Sequence, residues 1–263
     1  MILFLLSIVT TIIFIPENAL AWGPLTHMYL GNEIFSLLPA LTPAVASLIK
    51  RYREDFLYGN LMADSILGKK FLPETRNTHS WDVGLELLEA VSTRQERAFV
   101  YGYLAHLAAD TVAHGRLVEG SRYAGHTISE LKSDSLVGRR YWLMAIMISK
   151  RVQRRNDRFL EKTLRSPFFS VKTNKNLFKG MVYLSFLTPQ RMNGFLDRNS
   201  QLTWIPSSKR IKNLHKKSLE RMVDIIEKGE CSRVLRYDPV AQSRDGIFTS
   251  IIREINEGRS WKR

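Results

Sequence analysis

The chain has 263 residues, 44% of them hydrophobic, enough for one substantial core and a single domain. Its formal net charge of +14 suits phosphate-rich partners (anionic membrane, nucleic acid or a phosphorylated substrate) without choosing among them. The lone cysteine, Cys231, excludes an internal disulfide framework and any cysteine-cluster metal site, and no disulfide-linked partner is expected.

Residues 2–15, ILFLLSIVTTIIFI, form an apolar run too short to span a bilayer comfortably. PENALA follows and ends in the small-x-small pattern Ala19-Leu20-Ala21. This is the anatomy of a secretory signal over 1–21, cleaved after Ala21, although no Lys or Arg precedes the apolar run. Cleavage makes the protein secreted or periplasmic and leaves 22–263 as one helical domain; the alternative is an uncleaved N-terminal membrane anchor. Cleavage also frees the α-amine of Trp22, which together with its own carbonyl oxygen can chelate a metal, whereas a peptide nitrogen cannot.

Thr26 is expected to cap a helix that starts near His27 and carries Met28, Ile34, Leu37 and Leu38 on its apolar face. A second helix is expected from Thr42-Pro43, with proline at its first position, running on through Met62. Residues 64–79 break the periodicity and read as a loop with Asp64 at one end and His79 at the other. Helices are then predicted at about 81–92, 95–114 and 129–155. Within the last, YWLMAIMIS (141–149) is too short to cross a bilayer and is expected to be a buried core helix. Lys150, Arg151, Arg154, Arg155, Arg158, Lys162 and Arg165 follow as a solvated basic face, or as a specific phosphate contact. Further helices are predicted at 176–187, 188–197 and 247–257. A helix at 207–228 sets Ile211, Leu214, Ser218, Met222 and Ile225 at 3–4 spacing, against a face of Lys209, Arg210, Lys212, Lys216, Lys217 and Arg221. No alternating strand pattern occurs, so the domain is predicted to be all-α.

The stretch Gly102–Glu130 concentrates metal-competent side chains. His106, Asp110 and His114 fall at i, i+4 and i+8, and His126 and Glu130 at i and i+4, so each set shares a helix face. Gly115, Gly120 and Gly125 lie between them and allow the chain to turn back, aiming five groups into one crevice. Five of the six histidines sit in short motifs: WGPLTH (His27), NTHSWD (His79), HLAADTVAH (His106, His114) and GHTISE (His126). Imidazole and carboxylate without thiolate is a donor set suited to hydrolytic zinc.

In order and residue type these motifs, over Trp22 to Asp134, resemble the zinc-dependent phospholipase C family: bacterial phosphatidylcholine-cleaving enzymes and the catalytic domain of clostridial alpha-toxin, with S1/P1-type nucleases as distant relatives. The HLAADTVAH spacing is most similar to the branch containing the N-terminal domain of glycosylphosphatidylinositol-specific phospholipase D. Phospholipase C and toxin members have a longer gap there, so C-type and D-type cleavage both stay open. The resemblance implies a single multi-helix domain of the phospholipase C/P1 nuclease type with a cleft for up to three zinc ions. One would be held by Asp64, His79, His106 and Asp110. A second would be held by His114, His126 and Glu130, and a third by the amine and carbonyl of Trp22 with His27, Asp110 bridging. It further implies a secreted zinc-dependent phosphodiester hydrolase acting on a phospholipid through metal-activated water, with Asp64 as general base. Gly23-Pro24-Leu25 and Ser65 do not supply the acid and aromatics of the family's choline-binding members. Any approach to an anionic membrane surface would use the basic helices. Two alternatives remain. An S1/P1-like nuclease shares the Trp-x-x-x-x-His start, but those enzymes carry Asp where Glu130 stands, which makes nucleic acid the less favoured partner. The other is a non-catalytic, zinc-stabilised membrane-surface protein.

Overall fold

The computed structural model describes residues 22–64, 79–116, 129, 132–164 and 206–239. Among the described residues every regular element is a helix, so the fold class is all-α. The chain is laid out as α1 Pro24–Glu33, α2 Pro43–Arg51, α3 Arg53–Met62, α4 Trp81–Glu89, α5 Arg94–Arg116, α6 Arg140–Met147, α7 Lys150–Leu164 and α8 Ser208–Lys228. Short 3-10 turns follow α1 and α8.

The organising element is α5. From Ala98 to Ala113 every residue but Tyr101 is buried, so α5 is wrapped by other helices rather than lying on a surface. A capping box starts it: Thr93 Oγ1 accepts from the Glu96 N–H at 3.2 Å, and the Glu96 carboxylate accepts from the N–H groups of Ser92 (3.0 Å) and Thr93 (2.9 Å). Helices α3 and α8 flank it, and α4 closes a third side.

Two glycines set how closely α3 and α5 approach. A Cβ at Gly59 would collide with the carbonyl oxygen of Phe99, and one at Gly102 with the carbonyl oxygen of Phe56. The reciprocal contact brings backbone against backbone. Phe56 faces Gly102, and Asn60 further along α3 meets His106 further along α5, so the two helices run side by side in the same direction. Their C-terminal ends therefore deliver Asp64, His106 and Asp110 to one place.

Several boundaries differ from those predicted. Thr26 lies inside α1 and is not its cap. The orphan N–H groups of Leu25 and Thr26 are taken by the Asp134 carboxylate, at 3.4 and 2.9 Å, so a distant acid does the capping. The helix expected to run unbroken to Met62 is two, α2 and α3, separated at Tyr52 (φ −111°, ψ 46°). Only Ile49 of α2 is buried, whereas Asp55 to Met62 of α3 all are, so the break turns a surface helix into a core one. The stretch expected as one helix over 129–155 is divided too: helical at 132–136, then α6, then a break at Ile148 (ψ 125°) before α7.

The apolar run 141–149 is not buried as expected. Tyr141 packs edge-on against Tyr29 at 5.4 Å, yet Leu143, Ile146 and Met147 are 49%, 44% and 74% exposed. Among the described residues the eight-residue α6 packs chiefly on α1, and these three side chains stay exposed. The predicted amphipathicity of α8 holds: Ile211, Leu214, Ser218, Met222 and Ile225 are buried, while Lys209, Arg210, Lys212 and Lys216 are exposed. Gly229 stops this helix with a φ of 52°, a left-handed turn that favours glycine. The predicted leader 1–21 and the predicted helices at 176–187, 188–197 and 247–257 lie outside the described residues, as does Arg165. Among the described residues no helix is long and apolar enough to cross a membrane.

Candidate metal centre

Four elements converge on one buried point. Helix α5 presents His106 and Asp110, one turn apart on one face. Asp64 stands just past the end of α3, His79 immediately before α4, and His27 in the first half of α1. All five side chains are buried.

Asp64 Oδ1, His79 Nε2, His106 Nε2 and Asp110 Oδ2 cluster tightly. His79 Nε2 lies 3.1 Å from Asp64 Oδ1, 3.1 Å from His106 Nε2 and 3.4 Å from Asp110 Oδ2. His106 Nε2 lies 3.2 Å from Asp110 Oδ2 and 3.6 Å from Asp64 Oδ1. Tetrahedral ligands at about 2.0–2.1 Å from a zinc ion stand about 3.3–3.4 Å from one another. These five distances thus match five of the six edges of a four-coordinate N2O2 site.

Orientation agrees with spacing. His106 Nδ1 lies 2.9 Å from the backbone carbonyl oxygen of Asn60, which can only accept, so Nδ1 carries the proton. In the neutral ring this leaves the Nε2 lone pair facing the cluster, the usual support given to a metal-ligating histidine. The Asn60 amide in turn donates to the carbonyl oxygen of His27, so one residue steadies two of the convergent segments.

Asp110 reaches in two directions. Its Oδ2 belongs to the group above, and its Oδ1 lies 3.0 Å from His27 Nε2 without hydrogen-bond geometry. The His27 ring stacks on that of His106 at 3.7 Å. His27 Nε2, Asp64 Oδ2 and both Asp110 oxygens are buried polar atoms that find no hydrogen-bond partner among the described residues. Buried groups of this kind are costly unless something else satisfies them, and a divalent cation at this point would.

The electrostatics point the same way. Burial alone would raise the carboxyl of Asp64, but the charges of His106, His27 and His79 and a hydrogen bond from His79 outweigh it and hold it down to about 2. Burial opposes ionisation of Asp110 as well, yet His106 and His27 keep its carboxyl well below the ordinary carboxylate range. Burial favours the neutral form of His106, while Asp110 and Asp64 together raise its pKa. The metal-free cluster is thus a pair of buried carboxylates that attracts positive charge, whether protons or a metal.

The expected set of Asp64, His79, His106 and Asp110 is therefore brought together, with His27 beside it and Asp110 between His27 and the two other histidines. Trp22 is fully buried next to this group. Its indole Nε1–H is shared between the Ala109 carbonyl oxygen (3.0 Å) and Ser218 Oγ (3.1 Å), and its ring meets His215 edge-on at 4.8 Å. This ties Trp22 to the residue adjacent to Asp110. His114 lies on the last turns of α5, two turns beyond His106, but its side chain is outside the described residues. His126 and Glu130 also fall outside them.

Three supporting residues escaped the motif reading. Asp134 Oδ1 accepts from Thr26 Oγ1 at 2.7 Å as well as from its N–H, locking the segment that carries Trp22 and His27. The neighbouring Gly23 has no room for a Cβ against this carboxylate. His215, the sixth histidine, bonds Ser133 Oγ at 3.0 Å, and Ser133 Oγ pairs with Thr26 Oγ1 at 2.9 Å. Burial first, and the charge of His27 second, push the pKa of His215 down to about 4, so it stays neutral and structural. Its place on the apolar side of α8, one residue after Leu214, was a usable signal. Asn60 carried none, because its contribution comes from a backbone carbonyl and from helix packing.

Residues 26–176, more than half of the chain, match the family model described as zinc dependent phospholipase C. The chain belongs to this family. The matched stretch contains His27, Asp64, His79, His106 and Asp110, while Trp22 and α8 lie outside it. No curated protein and no solved structure matches the chain.

Proposed function

We propose that this member of the zinc-dependent phospholipase C family is a phosphodiester hydrolase acting on a phospholipid. The observation that carries the proposal is the buried N2O2 cluster of Asp64, His79, His106 and Asp110, whose ligand atoms all lie within 4.8 Å of one another, with each histidine nitrogen 3.1–3.6 Å from the other three. These four residues would hold one zinc ion. Asp110 Oδ1 and His27, with the main-chain amine and carbonyl of a processed Trp22, would contribute to another, and His114, His126 and Glu130 to a third. Zinc bound here would neutralise the anionic phosphodiester, make a water acidic enough to attack, and stabilise the leaving oxygen.

The protein's own residues do the remaining work. Asp64 is ionised at neutral pH, held so by the surrounding histidines. Its Oδ1 faces the cluster and its Oδ2, free of hydrogen bonds among the described residues, would accept the proton of the attacking water. Asn60 holds the tautomer and direction of His106 through its carbonyl. Asp134 and the Trp22 indole fix the start of α1, which keeps His27 against Asp110. Burial of the cluster lowers the local dielectric and strengthens each of these interactions.

Export after removal of 1–21 belongs to the same proposal, and N-terminal sequencing of the secreted or periplasmic protein tests it, with Trp22 as the expected first residue. The activity is tested with zinc-loaded protein on phospholipids of several head groups, a glycosylphosphatidylinositol substrate and single-stranded DNA. Turnover of a lipid that is abolished by chelation supports the proposal, and the released head-group species separates C-type from D-type cleavage. Turnover of DNA alone makes the protein a nuclease, and zinc retention without turnover of any substrate makes the metal structural.

A further inference from the structure

Four large hydrophobic side chains are exposed among the described residues, and three of them, Leu143, Ile146 and Met147, occupy one short stretch of α6. They lie at i, i+3 and i+4, so they form a single ridge along one face of the helix. Arg139 and Arg140 stand one turn before it, and Lys150 and Arg151 follow directly at the start of α7; all four are exposed. Among the described residues Glu33 and Glu54 bond directly to this stretch, while Glu86, Glu89 and Glu96 line the cleft that Arg151 borders, together with Arg154, Arg155, Arg158 and Lys162. Glu33 accepts from Tyr141, which Arg140 also contacts, and Glu54 accepts from the backbone N–H of Ser149 at 3.1 Å. Positive charge therefore exceeds negative charge around the ridge.

A contiguous exposed apolar ridge in a soluble fold marks a contact surface. A basic rim selects the partner: the apolar side chains favour the acyl boundary of a bilayer, and the flanking cations favour anionic head groups. The ridge is also tied to the metal centre. Helix α6 packs on α1, which carries His27, and it follows the segment whose Asp134 clamps the start of α1.

We propose that the α6–α7 corner is an interfacial docking element that inserts Leu143, Ile146 and Met147 into the surface of an anionic phospholipid bilayer while Lys150 and Arg151 engage its head groups. The inference rests on the lipid-hydrolase reading for its purpose, but the contact itself needs no turnover and is measured without it.

The test uses the full chain, labelled at one position with an environment-sensitive dye. One preparation carries Met147→Cys with Cys231→Ser; the other carries the dye at the native, exposed Cys231. Each is mixed with phosphatidylcholine vesicles, with or without phosphatidylserine, that contain nitroxide-labelled lipid. The expected result is quenching at position 147 on anionic vesicles and none at 231, in zinc-loaded and chelated protein alike. Neutralising the rim with Lys150→Gln and Arg151→Gln should raise the lipid concentration needed for that quenching by about 30-fold. Equal quenching at both positions, or none at 147, overturns the proposal. So does concentration-dependent burial of the 147 label without lipid, which would show a second copy covering the ridge. The triple variant Leu143→Gln, Ile146→Gln, Met147→Gln should lose hydrolysis of vesicle lipid and keep hydrolysis of a soluble aryl phosphodiester. Loss of both in this variant overturns the docking role, whereas a parent protein inactive on every phosphodiester overturns the hydrolase reading and leaves the quenching result standing.

Discussion

The Nε2 atoms of His79 and His106 lie 3.1 Å apart inside the protein, and each is within 3.4 Å of the same Asp110 oxygen. The other nitrogen of His106 already donates to a backbone carbonyl, so the facing lone pair of the neutral ring has nowhere else to turn. A carboxylate and two imidazole nitrogens held this close need a cation between them, either a shared proton or a metal ion.

Asp110 uses one oxygen toward His79 and His106 and the other toward His27. Asp110→Ala should therefore disturb two zinc ions, whereas Glu130→Ala or His27→Ala should mainly release one. Zinc content after dialysis, counted per folded chain by mass spectrometry, checks this. Equal loss in the three variants would contradict the bridging role.

Zinc affinity should rise with pH. In the zinc-free protein the buried carboxylates raise the pKa of His106, and zinc must displace that proton. Between pH 6.5 and the raised value, each pH unit should tighten binding roughly tenfold for one proton displaced. Linkage gives the sign for stability. A raised histidine pKa stabilises the zinc-free fold below the unfolded value of 6.5 and loses that contribution as pH rises through the folded value. The increase in Tm on adding zinc should accordingly be larger at pH 8 than at pH 6, which differential scanning fluorimetry in matched buffers can read.

His215 should give the zinc-free protein a slope of its own. Its pKa falls from 6.5 to about 4 on folding, so the unfolded chain takes up a proton before the folded one does. Stability should be lost as pH falls from 6.5 toward 4, by roughly 3 kcal/mol in total. Asp64 does not confuse this window, because its carboxyl titrates between about 2 and 3.8. His215→Phe keeps a ring against Trp22 and should flatten the slope in urea titrations at pH 6.5 and 4.5. A slope unchanged in the variant would mean that His215 is protonated in the fold.

Gly59 and Gly102 set the distance between the two helices that bear the site. Gly102→Ala places a methyl against the carbonyl oxygen of Phe56, which is backbone and cannot swing away. The expected cost is about 3 kcal/mol or more, well beyond the helix-propensity gain of alanine. A substitution at the exposed Gly138, where a Cβ meets only Arg140 at 4.0 Å, should be nearly silent by comparison. Urea denaturation of the two variants makes the comparison.

What could be read from the sequence was what helices encode locally. The i, i+4 spacing of His106 and Asp110 fixes a shared face whatever surrounds it, and α8 shows the same logic in its buried and exposed residues. Asp64, His79 and His27 were placed with that pair by the family resemblance, since their meeting depends on how α1, α3 and α5 pack. The same dependence hid Asp134, which caps α1 from 108 residues away. It also misled the reading of 141–149: an apolar run has the same composition whether its helix is enclosed or leans on the fold with one side. The breaks at Tyr52 and Ile148 carry neither glycine nor proline, so nothing local announced them.

The most direct test of the account is a crystal of the zinc-loaded protein measured on both sides of the zinc absorption edge. An anomalous peak is expected within coordination distance of Asp64 Oδ1, His79 Nε2, His106 Nε2 and Asp110 Oδ2, lost in His106→Ala. Zinc bound elsewhere on the chain with no peak among these four atoms would contradict it.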